Sequence, residues 1–235
     1  MFGSAEAAQA HGGGLISDWG GMYLTTAWGV MALLVLIAVL ATRNMQKVPS
    51  GLQNVVEFLI EGMYNFLEGM LGPERVKKYF PLLMTFFLFI LASNYIGLLP
   101  WVGHEGPEAG GIGKYIPPTA NLSVTAALAI IVFMSNHIFG LLTHGLGYFK
   151  HFFSPMWWML PLNLIEEVVR PVSLAMRLYG NIFGHELVVG SLLAMVPYFV
   201  PVPIQLLGVL TGAIQAFVFT LLATTYIAGA TEKHH

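Results

Sequence analysis

One run constrains this chain more than any other: PLNLIEEVVRPVSLAMRLYGNIFGHELVVG, residues 161–190. It has the apolar background of a membrane helix, yet it carries Arg170, Arg177, Glu166, Glu167, Glu186, Asn163, Asn181 and His185. At the bilayer centre an arginine costs at least ~2.5–3.5 kcal/mol on insertion scales, so an idle one would be hard to retain. On a helix, Asn163, Glu166, Arg170, Ser173, Arg177 and Asn181 follow at spacings of three or four. They therefore share one narrow face, with Val169, Val172, Leu174 and Met176 largely elsewhere. Pro171 can kink the helix and blur this phase. A polar stripe at membrane depth has to face protein or water, and Arg177 is read as its functional centre.

The remainder of the chain agrees with a membrane location. Of its 235 residues 56% are hydrophobic and 9% charged, with mean hydropathy +0.72. A soluble domain needs more charge than that on its exterior. The fold class is therefore an all-α membrane protein. A net charge of -2 gives no pull toward nucleic acid, and the absence of cysteine excludes disulfides and thiolate metal sites. No Gly-rich phosphate loop is present, so nucleotide chemistry is not expected here. The start, MFGSAEAAQAHGGG, lacks the basic region of a signal peptide.

In order along the chain, residues 1–20 are small and Gly-rich and are expected to be poorly ordered. A first span is expected over 22–41. At Ser50-Gly51-Leu52-Gln53 the serine and glutamine stand at capping-box spacing, opening an amphipathic helix over 51–70. Leu52, Val55, Val56, Leu59, Ile60, Met63, Phe66, Leu67 and Met70 form its apolar side, and Gly72-Pro73 stops it. It is too polar to span, and is expected to lie in the interface or on partner protein. Middle spans are expected over 79–99 and 121–143, separated by a Gly- and Pro-rich loop. Two long helices follow, over 163–195 and 204–230, with Pro197, Pro201 and Pro203 at the turn between them. Residues 1–235 read as a single membrane domain of five transmembrane helices plus one interfacial helix.

At ~1.5 Å per residue the helix over 163–195 measures roughly 50 Å, against a core of ~30 Å, so the last two helices are predicted to lie strongly tilted. Gly208 and Gly212, with Gln215 on the same side, form a small-xxx-small pair expected to let the last helix approach the arginine helix. Arg43, Lys47, Arg75, Lys77, Lys78, Lys150, Arg170 and Lys233 fall on one side, against Lys114 on the other. The positive-inside rule then places the N-terminus outside and the C-terminus in the cytoplasm.

Other polar groups admit alternatives. His137, His144 and His151 recur every seven residues and could ligate haem, which would make this a redox subunit; histidines facing water at the interface are the other reading. Asn94 and Tyr95 read as glue between helices, or as groups hydrating a passage. Glu166 and Glu167 either form a local salt bridge with Arg170 or open a funnel for ions. Buried carboxyls in membranes mark proton routes, which points to Glu186 with His185 beside it. Polar zones on either side of Arg177, divided by its fixed charge, could not leak straight through. A secondary transporter would show inverted repeats, and none is visible.

The stretch RPVSLAMRLYGNIFGHELV resembles the signature of subunit a of the F-type, rotary ATP synthase membrane sector, bacterial type. QAFVFTLLATTYI is similar to that family's last helix, SNYIGLLPW and PTANLSVTAALA to its middle spans, and GLQNVVEFLIEGM to its amphipathic helix. The resemblance implies a non-catalytic stator subunit without cofactor or metal, multi-pass in the bacterial inner membrane with a periplasmic N-terminus. It implies as partners a rotating c-subunit ring, peripheral-stalk b subunits and the remaining synthase subunits. Arg177 takes the position of the family's essential arginine. Asn181, Glu186 and Gln215 match polar positions of an outer half-channel, and Ser173 sits where the inner path approaches; Glu166 and Glu167 join the candidate proton path on the funnel reading given above. One departure is that many bacterial members carry a histidine where Gly208 aligns and a glycine at His185. The imidazole is therefore expected to occupy the same space from the opposite helix.

Overall fold

The computed structural model describes residues 3–43, 45, 51–97, 117–145, 160–195 and 201–231. Among these residues there are six α-helices: α1 (Gly3–Thr42), α2 (Leu52–Leu71), α3 (Pro73–Gly97), α4 (Leu122–His144), α5 (Leu160–Met195) and α6 (Pro201–Thr231), with a 3₁₀ turn at Pro118–Ala120 before α4. The described residues form only helices among their regular elements. The segments Tyr23–Thr42, Pro73–Gly97, Leu122–Thr143 and Pro203–Thr231 are each long and apolar enough to cross a membrane. The loop around Lys114, the Trp157–Trp158 stretch, Lys150, His151 and Pro197 lie outside the described residues.

Two helices start well before the positions the sequence suggests, and α5 and α6 start slightly early, at Leu160 and Pro201. α1 reaches back to Gly3, where a poorly ordered stretch was expected; Ala5, Glu6, Ala7, Ala8, Gln9 and Ala10 are strong helix formers and outweigh the glycines that follow. α3 begins at Pro73 rather than near Tyr79, with proline pre-set for the first helical position and Glu74 in the first turn. Only Gly72 separates α2 from α3. Its φ of 80° is a left-handed conformation natural to glycine, and its N–H donates to the Glu68 carbonyl at 2.8 Å. Arg75 Nε donates to the Leu71 carbonyl at 2.7 Å, satisfying another end group of α2.

α2 is amphipathic as expected, and much of its apolar side packs on the chain itself. Met63, Leu67 and Leu71 are buried, Tyr64 meets Phe80 edge-on at 5.2 Å, and Phe66 meets Phe217 of α6 at 4.9 Å. The other end stays open, with Phe58 79% exposed. Ser50 lies outside the described residues, and Gln53 Nε2 donates to Glu57 Oε1 at 2.7 Å.

α6 lies at the centre, against α2, α3, α4 and α5. Phe219, Ala223 and Ile227 of α6 are fully buried with Leu83 and Ile90 of α3 and Leu178 of α5. Thr220 and Thr224 keep their hydroxyls satisfied in this core by donating to the carbonyls four residues back, at 2.9 and 2.7 Å. Gly212 does not serve the α5–α6 contact expected of it. It faces α3, where its carbonyl accepts from Asn94 Nδ2 at 3.0 Å and an added Cβ would stand 3.2 Å from Asn94 Cβ. Asn94 Oδ1 in turn accepts from Thr119 at 2.8 Å, so it does act as glue. The Thr119 segment can sit there because a side chain on Gly97 would collide with Pro117. Asn121 caps α4, accepting from Ser123 N–H at 2.8 Å.

Candidate functional site

α5 runs unbroken through Pro171. One side of it, with Leu174, Ala175, Leu178, Ile182 and Val189, is buried in the bundle. Ser173, Arg177, Gly180 and Asn181 are exposed. Arg177 has no ion pair or hydrogen bond among the described residues. A Cβ added at Gly180 or Gly184 would meet nothing within 4 Å, so the surface beside Arg177 is flat backbone, open to a close neighbour. The side chain of Asn163 lies outside the described residues.

Toward the C-terminal end of α5 the polar groups turn to α6. Asn181 Nδ2 donates to Gln215 Oε1 at 3.3 Å. Gln215 is only 4% exposed and its Nε2 has no partner among the described residues. His185 Nε2 lies 3.2 Å from the Ile204 carbonyl, one turn before the buried Gly208. A backbone carbonyl therefore holds the imidazole at the start of α6. Glu186 is half-buried, and Tyr23 of α1 is near enough to it and to Tyr179 to interact electrostatically.

Toward the N-terminal end a second polar group joins α4 to α5. Arg170 NH2 contacts Glu166 Oε1 at 2.6 Å and Arg170 NH1 contacts Glu167 Oε2 at 3.6 Å. The local salt bridge is thus present, and it extends across helices. Asn136 Nδ2 lies 3.4 Å from Glu167 Oε1, His137 Nε2 3.6 Å from the same oxygen, and the Arg170 guanidinium 5.5 Å from the Tyr226 ring centre. A cavity of about 10 Å³ lies among Asn136, Glu167, Arg170 and Tyr226. His137 Nδ1 is 2.9 Å from the Phe133 carbonyl, so both ring nitrogens face protein groups. The side chain of His144 lies outside the described residues. No cluster of three or more His, Cys, Asp or Glu occurs among the described residues.

The family model of the ATP synthase A chain matches residues 24–228. The chain belongs to the ATP synthase A chain family. It is 44% identical over 224 residues to the ATP synthase subunit a of Geobacter sulfurreducens, covering 94% of this chain and 92% of that one. It is 43% identical to the ATP synthase subunit a of Trichlorobacter lovleyi, with 94% and 91% covered. Its identity to ATP synthase subunit a 3 of Pelobacter propionicus is 45% over 212 residues, with 88% and 86% covered. For an ATP synthase A chain family member, the several apolar helices make a multi-pass membrane protein. The haem-bearing alternative finds no support in these matches.

The sequence reading passed over three features of this family member. Gly180 and Gly184 form an i, i+4 small pair on the arginine helix, a signal visible in the sequence. Tyr23 near Glu186 and the Asn136–Glu167 link depend on which helices are neighbours, and periodicity along one helix does not reveal that.

Proposed function

We propose that this chain is the ion-conducting stator subunit of a rotary ATP synthase, coupling transmembrane proton flow to ATP synthesis. The family match supports the role. The observation that carries the mechanism is Arg177, exposed and without a carboxylate partner among the described residues. A lone guanidinium at membrane depth is costly, so a neighbour must supply the counter-charge. Subunits of the c ring, each offering a carboxylate against the open face at Gly180 and Gly184, would do so. Arg177 would draw each arriving carboxyl into its ionised form, discharge its proton and block a direct leak.

Two half-paths flank that charge on this reading. Asn181, Gln215, Glu186 and His185 line the outer one, where the unpartnered Nε2 of Gln215 can bond water. Ser173, Glu166 and Glu167 line the inner one, opening to the cytoplasm. The chain itself would be non-catalytic, a single membrane domain of five crossings with α5 and α6 tilted. It would sit in a bacterial inner membrane beside the b subunits of the peripheral stalk. Arg177→Ala is expected to abolish proton-driven ATP synthesis in vesicles holding the assembled complex. Normal coupled synthesis in that variant would end the proposal. Arg177→Lys is expected to restore little, since the guanidinium holds its charge when desolvated and presents a planar fork of donors.

A further inference from the structure

Glu167 gathers three donors from two helices. Asn136 and His137 of α4 approach its Oε1 at 3.4 and 3.6 Å, and Arg170 approaches its Oε2 at 3.6 Å. A carbonyl only accepts, so with His137 Nδ1 at 2.9 Å from the Phe133 carbonyl the ring hydrogen belongs on Nδ1. Nε2 then meets the carboxylate either with a second proton, as an imidazolium, or with a bare lone pair. Only the first arrangement is attractive. Among the described residues, the other charged or titratable groups facing the pair include Glu166 and Arg170 from α5 and Tyr226 from α6. From α3, Tyr79 reaches α4 at Phe139, 4.6 Å between rings, with Lys78 over the tyrosine.

We infer that His137 and Glu167 form a proton-holding pair that sets how Arg170 divides between Glu166 and Glu167, and thereby regulates the inner half-path. The inference rests on the reading of α5 as that path. With His137 protonated, Glu167 is neutralised from α4, and Arg170 stays with Glu166 at its shorter contact of 2.6 Å. When the proton leaves His137 Nε2 for cytoplasmic water, Glu167 loses a cation and draws Arg170 toward itself. Glu166 lies three turns before Arg177 on the same face. It is then uncovered to accept a proton arriving along that face. An independent observation marks the same place. Asn136 is 5% exposed, its Oδ1 has no partner among the described residues, and it borders the small cavity with Glu167, Arg170 and Tyr226. That space suits one water able to join Asn136 to Arg170.

The test uses the whole complex in proteoliposomes, with total driving force held constant while pH is changed on the side of the α5 N-terminal end. As that pH is raised from about 5.5 to 7.5, wild-type proton transport is expected to rise at least about threefold. His137→Gln, never charged, is expected to stay fast throughout, and His137→Lys, always charged, to stay slow. Glu167→Gln is also expected to be slow and flat, and it decides the matter if His137→Gln fails to assemble. A helix clamp with no proton role would leave these profiles parallel to wild type, and parallel profiles overturn the inference. Arg177→Ala run alongside separates the two readings. Persistent coupled transport there removes the path itself, whereas its loss beside parallel His137 profiles removes only the pair.

Discussion

Asn94 shows how one amide can hold three segments in a membrane bundle. It donates to the Gly212 carbonyl of α6 and accepts from Thr119 ahead of α4, while 3% exposed. Asn94→Ala would leave a buried carbonyl and a buried hydroxyl wanting partners. It is expected to cost about 1–3 kcal/mol, read as a lower melting temperature in detergent. Synthesis per assembled complex should be retained, because Asn94 touches none of the groups assigned to the proton path. A melting temperature equal to wild type would contradict this role. Asn94 was legible in the sequence as glue, and Arg177 as a charge out of place, because a polar group in an apolar helix is conspicuous anywhere. Its partners were not legible. His137 looked like a ligand candidate until α5 brought Glu167 beside it. Gly212, taken to serve α5, turned out to meet α3.

At the level of helices, sequence period and length anticipated the six α-helices but not the 3₁₀ turn at Pro118–Ala120, and the other differences fell at the ends. Pro73 opened α3 early because a single glycine with positive φ suffices to end α2, and a Gly-Pro pair reads equally well as a longer turn. The stripe on α5 was legible as a polar face. Its open surface depends on what is missing at Gly180 and Gly184, to which a pattern of polar residues is blind. Gly180→Leu tests that surface. A Cβ there meets nothing within 4 Å among the described residues, and leaving glycine in a helix gains roughly 0.5–1 kcal/mol. The isolated variant should therefore melt no lower than wild type, while copurification of the ring falls sharply. Loss of fold in the isolated variant, or full retention of the ring, would argue against the open face.

For the molecule as a whole, arginine and lysine placement predicts an orientation, which labelling can test, and packing must give the tilt. A cysteine at Met45, 69% exposed beyond α1, should label from the cytoplasm, and one at Gly110, in the 98–116 stretch, from the opposite side. Labelling of both from one side would refute the five-crossing arrangement. Tilt is set by neighbouring helices and interfacial anchors rather than by apolar length, so roughly 54 Å of α5 at ~1.5 Å per residue states only that it exceeds the membrane thickness. On the proposed function, the Arg177 guanidinium, without a counter-charge among the described residues, has a thermodynamic corollary. A folded state whose counter-ion arrives on another molecule is linked to that molecule by mass action, gaining stability as RT ln(1 + [L]/Kd). The intrinsic stability of the lone chain is thus a lower limit, and its lifetime in a membrane becomes a measure of how much assembled rotor is at hand.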